Sequence, residues 1–233
     1  MGTKDSKPII NAPSFDDTWE NLYSQGKHFN RYPYTSVVSF VYGQLSQQIS
    51  FRDLHALEVG CGAGNNLWFA AREGMRVTGI DASKSAINYA IERFKSENLE
   101  GDFHVGDFIL LPFADSSFDI AIDRAAITST GLSNAYKATL EINRTLRPGG
   151  KFYSELFSSQ TTDSGYRGSD NLIFDIKGLY SGVGQICLYS ESQIVQLFSA
   201  GWKILDLRHL EISRSGNGAK EVIGQWNILA EKV

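Results

Sequence analysis

Four carboxylates stand where an apolar run gives way to small or polar residues: Glu58, Asp81, Asp107 and Asp123. Glu58 lies two residues before the turn Gly60-Cys-Gly-Ala-Gly64. Glycines there permit positive φ and let a ligand approach the backbone closely. An acid beside such a turn suits a ligand that carries an ammonium group and suits a pyrophosphate less well. Asp81 ends the run Arg76-Val-Thr-Gly-Ile80, where a carboxylate can accept both hydroxyls of a ribose. Its other reading is a helix cap. Asp107 and Phe108 follow Gly106, either as an acceptor for an adenine amino group with a ring to flank it or as a polar turn with a core aromatic. Asp123-Arg124 closes the apolar run Phe118–Ile122. The dinucleotide fingerprint Gly-x-Gly-x-x-Gly is missed by one residue, because position 65 is Asn. A phosphate-binding P-loop is excluded, since no Gly-Lys-Ser/Thr follows.

These residues need elements to converge them. Ala56–Val59 reads as a short buried strand, with a helix from about Leu67 to Glu73 ended by Gly74. Strands follow at Arg76–Ile80, Asp102–Val105, Phe118–Ile122 and Lys151–Phe157. Helices alternate with them, one from about Ser83 with Ala86, Ile87, Ala90, Ile91 and Phe94, one over Ser133–Leu146. This rhythm predicts an α/β fold with a parallel sheet, helices on both faces and right-handed crossovers. Its strand ends would meet at one crevice. Arg147-Pro-Gly-Gly150 reads as a turn. The rhythm then breaks at Ser159–Ser190, polar and glycine-rich with apolar patches at Leu172–Ile176 and Ile186–Tyr189. A loop of this length within a domain is usually functional or disordered. A helix at Glu191–Ala200 and strands at Lys203–Ile212 and Glu221–Glu231, joined through Gly216-Asn-Gly218, close the chain as a hairpin.

Before the first strand, residues 1–13 read as a polar tail. Ser14 is placed to cap a helix carrying Phe15, Trp19, Leu22 and Tyr23 on one face. An aromatic loop, His28–Tyr34, leads to a helix over Thr35–Ile49 with Val37, Val38, Val41, Leu45 and Ile49 inward. Residues 1–50 are too few for a core of their own and are expected to pack on the body, 51–233, as a helical flap over the site. The chain has 233 residues, 42% of them hydrophobic, and a net charge of −4. That balance argues against a nucleic-acid partner. No apolar run is long enough to span a bilayer, and the first residues lack a signal-peptide pattern, although Met1-Gly2 with Ser6 meets the loose myristoylation pattern. Cys61 and Cys187 read as reduced thiols of a cytoplasmic protein.

The chain resembles class I S-adenosylmethionine-dependent methyltransferases. The resemblance rests on Leu57-Glu-Val-Gly-Cys-Gly-Ala-Gly64, Val77-Thr-Gly-Ile-Asp81, Val105-Gly-Asp-Phe108 with Leu111-Pro-Phe113, Phe118-Asp-Ile-Ala-Ile-Asp123, Leu146-Arg-Pro-Gly-Gly150 and Phe198-Ser-Ala-Gly-Trp202. It implies a Rossmann-like, mostly parallel sheet of seven strands whose last strand is antiparallel and inserted between two others. It implies S-adenosylmethionine as cofactor. Glu58 and Gly60, Cys61, Gly62, Gly64 and Asn65 would hold its methionine part, Asp81 the ribose, and Ala82, Asp107 and Phe108 the adenine. Asp123 and Arg124 would lie between methionine and acceptor, with Tyr23 and Arg31 closing from the flap.

The implied reaction is an in-line displacement of the activated methyl group, in which the protein aligns the acceptor and excludes water. An oxygen acceptor would need a general base, for which Asp123, His28, Glu155 and His209 are the candidates. No His/Cys/Asp cluster has metal-ligand spacing. Specificity is expected from Trp19, Tyr23, Arg31, Tyr32 and Tyr34 and from Tyr166, Arg167 and Tyr180 of the insertion. The pattern Trp19…Tyr23…Gly26…Arg31-Tyr-Pro-Tyr34 resembles methyltransferases found with bacterial surface-carbohydrate synthesis, which favours a small-molecule or sugar acceptor. The Asn/Asp-Pro-Pro-Tyr/Phe signature of many nucleic-acid amino methyltransferases is absent after Ile122. The alternatives are a protein or RNA methyltransferase, a cofactor binder without transferase activity, and a dehydrogenase with an irregular loop.

Overall fold

The computed structural model describes residues 14–44, 50–162, 165–216 and 219–233. The expected N-terminal tail, the inward positions Leu45 and Ile49, and the turn at residues 217–218 lie outside the described residues.

Two short helices come first, α1 (Thr18–Ser24) and α2 (Thr35–Gln44). The body then alternates β1 (His55–Val59), α3 (Asn65–Arg72), β2 (Arg76–Asp81), α4 (Lys84–Ser96), β3 (Asp102–Val105), β4 (Phe118–Arg124), α5 (Leu132–Thr145) and β5 (Leu146–Phe157). After β5 come three very short strands, β6 (Tyr166–Arg167), β7 (Leu172–Phe174) and β8 (Ile186–Cys187), then α6 (Glu191–Leu197), β9 (Trp202–Gly216) and β10 (Ala219–Lys232). The main sheet has the order β3-β2-β1-β4-β5-β10-β9. β10 is antiparallel to both neighbours, so the last strand is inserted as the resemblance implied. Among the described residues, no helix is long and apolar enough to cross a membrane.

The sheet is covered on both faces, which is why its central strands read as apolar runs. On one face Leu57, Val59, Ala121 and Phe152 pack with Ala138 and Ile142 of α5 and Ile194 and Leu197 of α6. On the other, Ala56, Val77, Ile120 and Ile122 pack with Val37, Phe40 and Val41 of α2, Leu67 and Ala70 of α3, and Ile87 and Phe94 of α4.

Four expectations change. Ser14 caps no helix; its hydroxyl donates to Asp107, and α1 begins four residues later without a side-chain cap. Arg147-Pro-Gly-Gly150 is absorbed into β5 as an irregularity, the register with β4 stepping from Phe118↔Leu146 to Ile120↔Lys151. The two apolar patches of the insertion form a small separate sheet, β6-β7-β8, over their own core of Ile173, Ile176, Ile186 and Leu188. The closing hairpin is longer than expected at both ends, and its residues 211–216 and 219–224 run past the Gln225↔Phe157 pair that ends the pairing with β5.

Candidate functional site

A cleft of about 760 Å³ opens at the C-terminal ends of β1, β2 and β4, where a twisted parallel sheet leaves a crevice. It is lined from below by the turn after β1 and from above by α1 and residues 28–34. On its far side stand the insertion and the projecting hairpin.

Glu58 forms its floor. The side chain is 2% exposed, and Asn66 Nδ2 of α3 donates to Oε1 at 2.7 Å. Among the described residues Oε2 is buried without a partner. Burial, reinforced by the neighbouring charges of Asp123 and Asp81, pushes its carboxyl up to about 8. An orphaned buried carboxylate oxygen in a cleft fits a ligand that brings a cationic donor.

The turn above it has positive φ at Gly60, Gly62 and Gly64 (60°, 51° and 71°). All three glycines also make room for protein atoms. A Cβ on Gly60 would overlap Ala126 in the turn after β4, and one on Gly62 would sit 2.5 Å from the Tyr23 hydroxyl. Gly64 lies outside the cleft; its missing side chain lets Ala90 and Phe103 pack against it at the start of α3. Cys61 lines the cleft, and burial holds its thiol in the neutral form.

Asp81 ties this turn to the next. Its Oδ2 accepts from Gly62 N and its Oδ1 from Ser83 N, both at 2.8 Å. The capping residue of α4 is Ser83, whose hydroxyl accepts from Ala86 N, so Asp81 keeps lone pairs toward the cleft. Ala82 and Phe108 line the cleft beside it. Asp107 does not: Oδ1 accepts from Ile109 N and Oδ2 from the Ser14 hydroxyl.

The pair at the end of β4 separates. Successive strand residues face opposite sides of a sheet. Asp123 therefore points into the α5 face, 0% exposed, accepting from Ala126 N, Ile127 N and the Ser154 hydroxyl. Burial pushes it up to about 7. Arg124 points the other way and lines the cleft. Glu155, 1% exposed, faces Arg124 Nε at 2.7 Å and accepts from Tyr153 Oη and Gln225 Nε2.

Of the residues expected from the N-terminal part, Trp19, Tyr23, His28 and Tyr34 line the cleft. Tyr23 is kept neutral by burial and by Asp81. Arg31 is exposed and outside the cleft; its charge acts on Glu97, which is held by Trp68 Nε1 and Arg93 on the outer surface. Tyr32, Tyr166 and Arg167 are also exposed and outside it, whereas Tyr180 lines it. Among the four expected bases only His28 lines the cleft. His209 bonds Ser158 Oγ at 2.7 Å and lies against Trp226 on β9. Among the described residues no group of three or more potential metal ligands occurs.

Several lining residues escaped the sequence reading. Asn66 also accepts from Tyr34 N and, with Asn65 donating to Tyr32 O, moors the aromatic loop to α3. Glu20 accepts from the hydroxyls of Ser83 and Ser85 at 2.6 Å and from Ser85 N, pinning α1 to the start of α4. Asp16 accepts from Gln185 N of the insertion. No local pattern announces such long-range bonds. Phe157, Val183, Ile186, Ile212 and Ile223 supply an apolar wall that becomes visible only once the hairpin and insertion are folded.

Residues 57–154 match the family described as "Methyltransferase domain". The chain is 29% identical over 202 residues to sterol 24-C-methyltransferase ERG6A of Gibberella zeae, covering 81% of this chain and 51% of that protein. It is 33% identical over 132 residues to the fatty-acid O-methyltransferase of Mycolicibacterium smegmatis, covering 55% of this chain and 44% of that one. The chain thus spans about half the length of these curated relatives. A solved S-adenosylmethionine-dependent methyltransferase from Methanosarcina mazei superposes with a TM-score of 0.61 at 24% identity, over 77% of this chain and 92% of its own.

Proposed function

We propose that this chain, which carries a class I S-adenosylmethionine-dependent methyltransferase domain, transfers a methyl group to a small organic acceptor. The observation that carries the reading is the orphaned Glu58 Oε2 beneath the glycine turn. The residues fit the cofactor: Glu58 would take its ammonium group, the amides of the Gly60–Gly64 turn would face its methionine part, and Asp81 would take the ribose hydroxyls. Ala82 and Phe108 would flank the adenine. Bound there, the cofactor supplies a methyl carbon made electrophilic by a sulfonium. The protein's own part is orientation and exclusion of water, for which Trp19, Tyr23 and Tyr34 stand over the cleft. His28 is positioned to hold a proton should the acceptor atom be an oxygen.

The lining favours a small acceptor with hydrocarbon surface over a sugar, since Phe157, Tyr180, Val183, Ile186, Ile212 and Ile223 offer little for hydroxyl groups. Two of the relatives, a sterol and a fatty-acid methyltransferase, are named for acceptors of that chemistry. An RNA acceptor is disfavoured by Asp16, Asp17 and Glu20 at the cleft, against Lys84 and Arg124. Calorimetry tests the reading. S-adenosylhomocysteine should bind and NAD should not, and Asp81→Ala should weaken that binding by about 1–3 kcal/mol. Binding of NAD alone, or full affinity in the variant, would refute it.

A further inference from the structure

Among the described residues that line the cleft, Arg124 has surroundings that prepare a charge for an outside partner. Its guanidinium is fixed from two directions: Nε lies 2.7 Å from Glu155 Oε2, and the group sits 3.9 Å from the centroid of the Tyr34 ring. Glu155 is itself held by Tyr153 Oη at 2.8 Å and Gln225 Nε2 at 2.9 Å, and Gln225 also donates to Asn227 at 2.7 Å. Swinging the guanidinium away would break the ion pair with Glu155 and the contact with the Tyr34 ring. Among the described residues neither Nε, whose approach to Glu155 is an ion pair and not a hydrogen bond, nor the two terminal nitrogens has a hydrogen-bond partner, although Arg124 faces the cleft. A planar fork held still with two open donors matches one ligand shape best, a carboxylate bound through both oxygens.

The neighbouring surface says what that carboxylate is attached to. Phe157 lies two residues beyond Glu155 on the same face of β5, and Tyr180 stacks on it at 4.2 Å. Arg124 is near enough for its charge to act on the Tyr180 phenol. Val183 and Ile186 of the insertion and the paired Ile212 and Ile223 of the hairpin continue this apolar wall. Acids surround the fork, Glu155 in contact and Glu58 close by, so a dianionic phosphate would meet more repulsion than a single carboxylate.

Resting on the methyl-transfer reading, we infer that the acceptor is an amphipathic carboxylate, its carboxylate on the Arg124 fork and its hydrocarbon along Phe157, Tyr180, Val183, Ile186, Ile212 and Ile223. Arg124 and this wall are then the specificity determinants of the site. The same fork could instead hold the cofactor's own carboxylate, and the experiment separates the two.

Binding of octanoate, decanoate, dodecanoate and 1-decanol is measured by calorimetry with and without saturating S-adenosylhomocysteine. Affinity for the carboxylates should rise about two- to fourfold per methylene, and decanol should bind at least tenfold more weakly than decanoate. Arg124→Met should reduce decanoate affinity at least tenfold, with Arg124→Lys recovering part of it, while S-adenosylhomocysteine affinity stays within twofold. Ile212→Glu serves as a second variant, because Ile212 is 62% exposed and leaves the Glu155 network intact. It should reduce decanoate affinity and spare S-adenosylhomocysteine. Loss of S-adenosylhomocysteine affinity in Arg124→Met with decanoate unaffected would assign the fork to the cofactor and overturn the inference. Equal binding of decanol and decanoate would overturn it too. Failure of the wild type to bind S-adenosylhomocysteine would instead remove the methyl-transfer reading, and the carboxylate series without it would still decide the role of Arg124.

Discussion

Glu58 combines a buried carboxyl with an unused oxygen, and its protonation records what reaches it. Its folded value of about 8 lies above the ordinary glutamate range near 4.3. The folded state therefore binds more protons than the unfolded chain between those values, so the stability Glu58 contributes is complete below the lower value and is lost as pH rises through the upper one. A cationic donor at Oε2 favours the charged form. At pH 7, S-adenosylhomocysteine binding should then release up to about one proton, read from calorimetry in buffers of differing ionisation enthalpy. Glu58→Gln should abolish that release; a wild type that releases none would contradict the assignment. Residue by residue, the positive-φ turn of Gly60, Gly62 and Gly64 and the places of Glu58 and Asp81 at the cleft were legible in the sequence because they depend on local backbone, whereas their roles toward a ligand belong to the proposal. Asp123 and Arg124 were legible as a pair but not as individuals. Adjacent strand residues face opposite sides, and only the packing of α5 decides which side is core. Arg31 misled because an exposed loop arginine carries no local sign of its direction.

At the level of elements, the parts the alternation could not place are those that bound the cleft. α1 buries no residue completely and makes no side-chain cap. It is held chiefly by Glu20 on Ser83 and Ser85 and by the bonds of Ser14 and Asp16. Glu20→Gln should therefore loosen α1 while leaving the body intact. Hydrogen exchange should quicken over residues 18–24 and at the start of α4, with β1, β4 and β5 unchanged. An exchange map identical to that of the wild type would show that Glu20 is not the fastening. The insertion resisted reading for a different reason. Its strands are two or three residues long, too short for periodicity to register, and Asp170 fixes it to the start of α5 by accepting from Ser133 N and its hydroxyl.

Across the whole molecule the parallel α/β layering was legible, because alternating strands and helices have few ways to pack, and the inserted last strand came from the resemblance. That residues 1–50 pack on the body was expected from their length, but which face of the sheet they cover was not legible, since a helix shows the same apolar stripe against either face. Val37, Phe40 and Val41 are buried in the body's second core. Deleting residues 1–49 should remove burial worth about 1.5–3 kcal/mol per side chain, a large part of a typical domain's 5–15 kcal/mol. The truncated chain should lose its cooperative melt by circular dichroism, and a native-like transition would refute the dependence. One further consequence follows from α1. Through Glu20 it rests on the turn that would meet the cofactor, and through Asp16, two residues before it, on the insertion that would wall the acceptor side. A ligand that shifts this seven-residue helix from either end alters the free energy of the same element seen from the other. Occupancy of the two ends is then thermodynamically linked, and the linkage is reciprocal: whatever factor the first ligand adds to the affinity of the second, the second returns to the first.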